Sequence, residues 1–270
     1  MFHQKTQGRL TIFQSILLER QPELVHGFSS RSGGYSKGCF SSLNMGLING
    51  DNPADVQQNR LLFADALGIT PEYVVCGYQV HSTNIARVGR EEMGRGFFDA
   101  SEALPETDGL VTSQRGIALM TMYADCVPVL FYEPEQKVIG VCHCGWKGTV
   151  GRIAAGMADI MATEYNCDRK KILAAIGPSI SRAAYEVDLP VLEQFRQAFD
   201  FADQLITPVD AAHGKVDLWE ANRMQLLEAG LQDSNIDVSG LCTCQNHQIF
   251  FSHRADHGKT GRNAAMIMMF

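Results

Sequence analysis

Residues 120–152 read MTMYADCVPVLFYEPEQKVIGVCHCGWKGTVGR. With GIALMTMY (116–123) just before them, VPVLFYE (127–133) and KVIGVCHC (137–144) form nearly continuous apolar runs separated by short turns, the pattern of strands buried on both faces. Such strands need a packed layer on each side. Asp125, Cys126 and His143 interrupt the runs, and burying a carboxylate is costly unless it is paired. Asp125 therefore predicts a polar or cationic partner at its bend: a metal, His143 or Lys147. Strand alternation sends Cys142 and Cys144 to one face and His143 to the other. Pro128 argues against a central ladder position for its strand.

Working outward, LVHGFSSR (24–31) is the first strand expected, and the polar, Gly-rich stretch from Ser32 to Asp51 is a long loop of the kind that carries function. Asn52 followed by Pro53 marks a helix start, with Val56, Arg60, Phe63 and Leu67 on one stripe and Gly68 as the stop. YVVCGYQV (73–80) and TNIARV (83–88) read as strands, followed by a Gly- and Glu-rich loop to Thr107. After Gly148, the residues Val150, Ile153, Ala154, Met157, Ile160 and Met161 recur at helical spacing. A helix is expected over about Asp188 to Phe199, with Leu189, Leu192, Phe195 and Phe199 on one face. Another covers about Leu218 to Leu231, between the strands KILAAIG (171–177) and IDVSGL (236–241). QIFFSHR (248–254) and NAAMIMMF (263–270) read as the last two strands. No repeat or long linker divides the chain, so a single domain over 1–270 is expected. Strands cluster more than they alternate with helices, which favours an α/β fold of mixed, layered sheets over a doubly wound parallel sheet.

The formal net charge is −7 with acids and bases interspersed, which disfavours nucleic acid or an anionic membrane as partner and favours small molecules. The longest apolar run, Ile117 to Phe131, is interrupted by Asp125 and falls short of the ~20 residues that span a bilayer. No signal-peptide cleavage pattern follows the N-terminus. A cytoplasmic protein is expected, its eight cysteines held as reduced thiols.

His143 reads either as a satisfied core histidine or as a functional one. The turn that follows favours function: GWKGT ends a strand and starts a helix, and closely spaced glycines there aim backbone N–H groups at an anion, with Lys147 adding charge. The order Lys-Gly-Thr is not that of a phosphate-binding P-loop. Cys126 reads as a small buried hydrophobe or a ligand. His81 reads as a loop histidine or a ligand, with Gln79 on its side two residues earlier. Taken together, His81, Cys126 and His143 are a two-His, one-Cys set that leaves one position open on a tetrahedral zinc. Cys126 with His143 as base is the metal-free alternative. A four-thiolate site from Cys142, Cys144, Cys242 and Cys244 is disfavoured by C-x-C spacing, and His253 and His257 read as a solvated loop.

The ordered segments HGFSSRSGG, SSLNMG, NPADVQQNR, QVHS, TDGLVT, ADCVPVL, HCGWKGT, AIGPSI, YEV and FFSHRADHGKTGR cover nearly the whole chain. The set resembles the laccase-domain, multicopper polyphenol oxidase-like family, described as purine nucleoside phosphorylases with adenosine deaminase activity. The resemblance implies an α/β/β/α layered fold and a zinc or copper ion held by His81, Cys126 and His143. It implies phosphorolysis of adenosine, inosine or methylthioadenosine, plus adenosine deamination, so nucleosides and phosphate are the expected partners. It places Arg31, Asn44 and Lys147 on the pocket wall, beside the substrate-binding candidate Gln79. Cys126, His143 and Asp125 are then the catalytic candidates, with Asp125 shuttling a proton or orienting a ligand. The segment before Gly258 departs from the common pattern. The fold also resembles one used by cysteine-dependent deamidating toxins, which keeps a metal-free Cys126–His143 hydrolase as a rival; hydrolysis of peptidoglycan precursors, implied by some bacterial relatives, is a related alternative. A non-catalytic zinc-binding protein is the other, disfavoured because structural sites use four ligands. Laccase chemistry of the trinuclear kind is excluded, because the chain has eight histidines and no His-x-His pair; copper at a Cys/His site would still bind tightly.

Overall fold

Alternation along the central strands decides which layer each side chain joins. In the computed structural model of the chain, which describes residues 1–270, Val129 and Phe131 face a layer of helices while Leu130 and Tyr132 face a second sheet. All four are fully buried. The sheet that holds them runs Ile236–Val238, Leu173–Ile176, Val127–Glu133, Val138–Cys144, Gly109–Thr112, Ile85–Arg87, antiparallel at its centre and parallel at its two outer pairs. The facing sheet runs Phe2–Gln7, Leu10–Ser15, Leu24–Ser29, Asn263–Met269, Ala118–Tyr123, Val74–Cys76, with one parallel pair at the last edge.

Three hydrophobic clusters fill the spaces between four layers. Phe63 and Ala64, from the helix Pro53–Ala66, meet Ile12, Met120 and Met266 on the outer face of one sheet. Leu119, Tyr123 and Ile267 meet Leu130, Ile139 and Val141 between the sheets. Met157 and Met161 of Ile153–Tyr165, with Ala221 and Leu226 of Leu218–Glu228, cover Val129, Phe131 and Cys142 on the far side. The result is a single-domain α/β/β/α fold of mixed sheets. No helix is long and apolar enough to cross a membrane.

Local chemistry sets the helix ends where the sequence placed them. Asn52 accepts from the Ala54 N–H with Pro53 at the first helical position, and Gly68 follows the helix at φ 68°. Asp188 and Asp217 cap Leu189–Ala198 and Leu218–Glu228 in the same manner, as short polar side chains do.

Several expectations need correction. Two strands precede Leu24, and the first of them, Phe2–Gln7, is a mostly exposed edge without a hydrophobic face. Pro128 does lie in a central strand. It falls beyond the last pair with Leu173–Ile176, and its carbonyl accepts from Gly177 N–H, so the missing N–H interrupts no rung there. The helix read from Val150 onward is two helices, Trp146–Val150 and Ile153–Tyr165, separated by Arg152 in the left-handed region at φ 63°. Leu189 is exposed rather than packed. QIFFSHR is not a strand. Phe250 and Phe251 are buried, but the Asn263 amide bonds both N–H and C=O of Phe251 (3.0 and 2.9 Å), replacing a ladder partner. A small sheet of Glu186–Asp188, His213–Val216 and Ile206–Pro208 carries no apolar alternation in sequence, because its strands are short and largely exposed.

Gly177 lies tight against Phe28 of the facing sheet. A Cβ there would lie 2.2 Å from a ring carbon of Phe28 and 2.9 Å from Pro128. At Gly140 the neighbour is instead the flexible thioether of Met157, 2.7 Å away. Gly177→Ala is expected to lose about 1–3 kcal/mol in urea unfolding and Gly140→Ala distinctly less; equal losses would show that the Phe28 wall gives way as readily as Met157.

Candidate metal centre

Three peptide N–H groups in a row, from Val80, His81 and Ser82, point at one carboxylate, that of Asp108, at 3.1, 3.1 and 2.8 Å. The Ser82 hydroxyl joins them at 2.8 Å. Gln79, the residue just before these three, is fastened by two hydrogen bonds that its side chain exchanges with the backbone of Met122 (2.8 and 2.9 Å). The loop is thereby held with His81 at φ 62°, a conformation that a non-glycine residue keeps only when its surroundings over-determine it.

Asp108 also bonds His143 Nδ1 at 2.9 Å. Both side chains are buried. With Nδ1 engaged, His143 presents Nε2, and Cys126 Sγ lies 3.9 Å from His81 Nε2. The donor atoms of His81, Cys126 and His143 all fall within 4.8 Å of one another. A tetrahedral ion with ligands at 2.0–2.3 Å needs donors roughly 3.3–3.8 Å apart, so closure by about an ångström completes the set. Gly145 leaves the space for it: a Cβ there would stand 2.8 Å from the His81 ring and 3.1 Å from Cys126 Sγ. Two imidazoles and one thiol, one imidazole backed by a carboxylate, fit zinc or copper.

Burial alone would push the Cys126 thiol up, but the charge and hydrogen bonding of His143, with those of His81, bring it down to about 6. Burial opposes the imidazolium of His143, and the Cys126 charge together with Asp108 overrides that, raising it to about 10. Asp108 falls to about 2, because the bond and charge of His143 and the Ser82 donors outweigh its burial. Cys144, on the other face, is driven up by burial.

The cluster forms part of the wall of a cavity of about 560 Å³. Gln79, Asp125 and Lys147 share that wall, with Lys147 Nζ 5.7 Å from the Trp146 ring. Asp125 is paired neither with His143 nor with Lys147. Its carboxylate accepts from the Thr243 hydroxyl and the Arg254 N–H, both at 2.6 Å, and its backbone sits at φ 82°. Arg31 and Asn44 are not on the wall. Arg31 donates to the carbonyls of Ser41 and His247 and lies over the Phe251 ring, while Asn44 is fully buried in loop hydrogen bonds. Arg60, Arg254, Arg262 and His253 line the cavity instead. Cys142 and Cys144 are packed in the helix-side core, and all eight cysteines are free. Sequence reasoning missed Asp108, although TDGLVT contains it, and Arg262, which ends FFSHRADHGKTGR; the only signal for either was its place in a motif.

Residues 25–270 match the family model for multi-copper polyphenol oxidoreductase laccase. The chain belongs to that family. Purine nucleoside phosphorylase YlmD of Geobacillus stearothermophilus is 41% identical over 244 residues, 90% of this chain and 89% of that protein. Its namesake in Bacillus subtilis is 38% identical over 251 residues, covering 93% and 90%. The crystal structure of Bacillus licheniformis hypothetical protein YfiH superposes with a TM-score of 0.95 at 34% identity, over 100% of this chain and 99% of that one. Despite the family's description, this laccase-family chain groups potential metal ligands in a single three-residue cluster.

Asp108→Asn replaces an acceptor oxygen with a donor among N–H groups, and metal affinity measured by competition with a chelator is expected to fall roughly 10- to 100-fold. An unchanged affinity would remove Asp108 from the site's support. In metal-stripped protein, alkylation of Cys126 by iodoacetamide is expected to rise with pH through about 6 and then level off, because the thiolate is the nucleophile. An inflection near the ordinary thiol range would show that His143 does not hold the thiolate.

Proposed function

We propose that this chain is a metal-dependent purine nucleoside enzyme that cleaves adenosine, inosine or methylthioadenosine with phosphate and also deaminates adenosine. The observation that carries the reading is the charge of the cavity beside the His81, Cys126 and His143 cluster. Arg60, Lys147, Arg254 and Arg262 line it, and its one carboxylate, Asp125, is already bonded to Thr243 and Arg254. A protein of net charge −7 that gathers cations around a cleft concentrates an anionic reactant there. The names of the relatives supply the class of the other reactant, and about 560 Å³ is within the usual range for a small-ligand site.

A zinc or copper ion on His81, Cys126 and His143 would supply Lewis acidity toward a water or a substrate atom. The chain's own groups do the rest. Asp108 keeps Nδ1 of His143 occupied, so Nε2 remains a donor of fixed direction. In phosphorolysis a phosphate oxygen bonds to C1′ of the ribose as the bond to the purine nitrogen breaks, the pair leaving with the base, which takes up a proton. The cationic wall holds the phosphate and offsets its charge during that step. In deamination a water oxygen adds at C6 and ammonia leaves. Asp125, with both oxygens accepting hydrogen bonds, orients the Cys126 bend on the cavity wall. The free cysteines fit a reducing cytoplasm.

A second reading rests on the Cys126 thiolate beside a charged His143 and Asp108, which is the arrangement of a cysteine hydrolase. Metal content decides between the two. About one zinc or copper per chain in protein purified without metal-affinity resin is expected, and its absence with rapid iodoacetamide labelling of Cys126 favours the hydrolase.

Adenosine with phosphate is expected to yield adenine and ribose-1-phosphate, and without phosphate inosine and ammonia. Cys126→Ala should abolish both activities, while Cys142→Ala and Cys144→Ala, facing the helix-side core, should be mild. Lys147→Ala should weaken phosphate use more than deamination. A fully metallated protein inactive toward every nucleoside would overturn the proposal.

A further inference from the structure

Three arginines line the cavity, and they differ in which hydrogen-bond donors the protein has already taken. Arg60 gives Nε and Nη1 to the carbonyls of Met45, Gly96 and Phe97 at 2.7–2.8 Å. Arg254 gives both Nη1 and Nη2 to the carbonyls of Ala184 and Glu186. Each keeps at most a single nitrogen free. Arg262 spends only Nη1, on the carbonyls of Thr260 (3.1 Å) and Gly261 (3.0 Å). Its Nε and Nη2 therefore remain together, and that pair forms the planar edge with which a guanidinium grips an oxyanion through two parallel bonds. Arg262 is half-buried on the cavity wall. Burial disfavours its charge, while the charges of Cys126 and Asp125 favour it.

Asn44 controls where this arginine sits. Its Oδ1 accepts from the N–H groups of Gly46 (2.9 Å) and Arg262 (2.8 Å), and its Nδ2 donates to the Asp51 carboxylate (2.9 Å) and to the Gly46 carbonyl (3.3 Å). On the other side of Arg262, its carbonyl accepts from Met45 N–H at 3.0 Å. Gly46 lies against the arginine stem, where an added Cβ would be 2.8 Å from Arg262 Cγ and 2.1 Å from Asn49 Oδ1. The loop thus grips both backbone groups of Arg262 and packs on its side chain.

We propose that the Nε–Nη2 edge of Arg262 is the oxyanion-binding fork of the cavity, receiving the phosphate, and that Asn44 is a positioning residue acting through it. The ligand identity rests on phosphate being a reactant of this site; the fork itself rests on the geometry. Calorimetry with inorganic phosphate on the metallated protein, alongside phosphate-dependent nucleoside cleavage, tests both. Arg262→Met is expected to weaken phosphate binding and raise the KM for phosphate roughly 10- to 100-fold, the scale of a charge-assisted bond pair, with a much smaller effect on the KM for nucleoside. Arg262→Lys, which keeps the charge but loses the fork, should fall between. Asn44→Asp sets a second carboxylate against Asp51 and should raise the phosphate KM, whereas the double variant Asn44→Asp, Asp51→Asn restores a donor–acceptor pair and should recover it. Unchanged phosphate affinity and phosphate KM in Arg262→Met overturn the fork, even with nucleoside cleavage intact. Phosphate binding that depends on Arg262 without nucleoside cleavage would uphold the fork and overturn the phosphorolysis reading instead. If the single and double Asn44 variants are equally impaired, Asn44 is a loop residue with no positioning role.

Discussion

The Asp108 carboxylate lies between the two histidines of the cluster and holds both. It takes the N–H groups of Val80, His81 and Ser82 on one side and His143 Nδ1 on the other. A carboxylate surrounded by donors is a strongly stabilised anion, which is why it remains charged although buried. It also offsets the left-handed backbone at His81, a conformation that costs of the order of 1–3 kcal/mol when unsupported. His81 lies on an exposed loop and His143 in a buried strand, so without this shared anchor their relative position would vary with the loop. With it, they are parts of one rigid unit.

The two-sided strands were legible because their signal is local. VPVLFYE alternates between two apolar environments, so every position from Val127 to Tyr132 is apolar, and the structure divides Val129 and Phe131 from Leu130 and Tyr132 between two cores. The helix beginning at Pro53 was legible for a similar reason, since Asn52, Pro53 and Gly68 act within a few residues of the ends they set. What failed were cases in which a distant side chain does the work of a strand or carries a pairing. Asn263 satisfies Phe251 from twelve residues away, and QIFFSHR looks like a strand until that amide is known. Asp108 bonds His143 across 35 residues, and no periodicity or spacing announces such a pair.

Residues carried over by resemblance divide along the same line. Lys147 and Gln79 lie on the cavity wall, whereas Arg31 and Asn44 are committed to the loops behind it. A motif marks a position as constrained without saying whether the side chain meets the ligand or holds the residue that does. The structure separates the two by counting donors and acceptors. Asn44 has both polar atoms of its side chain engaged within the protein, so its side chain acts on Gly46, Asp51 and Arg262 rather than on a ligand.

Asp125 shows the same separation at the point where the strands bend. A buried acid beside the His81, Cys126 and His143 cluster invites a catalytic role, yet its two oxygens are bonded to Thr243 and to the Arg254 N–H, and its own carbonyl accepts from Ile180 N–H at 2.9 Å. Those three partners belong to three segments distant in sequence from the bend. By gathering them, Asp125 closes the cavity wall around Cys126 and fixes the direction from which the thiol faces His81 and His143. Its φ of 82° is the cost of turning the chain sharply enough to put Cys126 at a strand end, where its sulfur is reachable, while Val127 two positions on from Asp125 returns to the core. The charge that interrupts the apolar run is thus needed for the geometry of the thiol next to it, before any proton is moved.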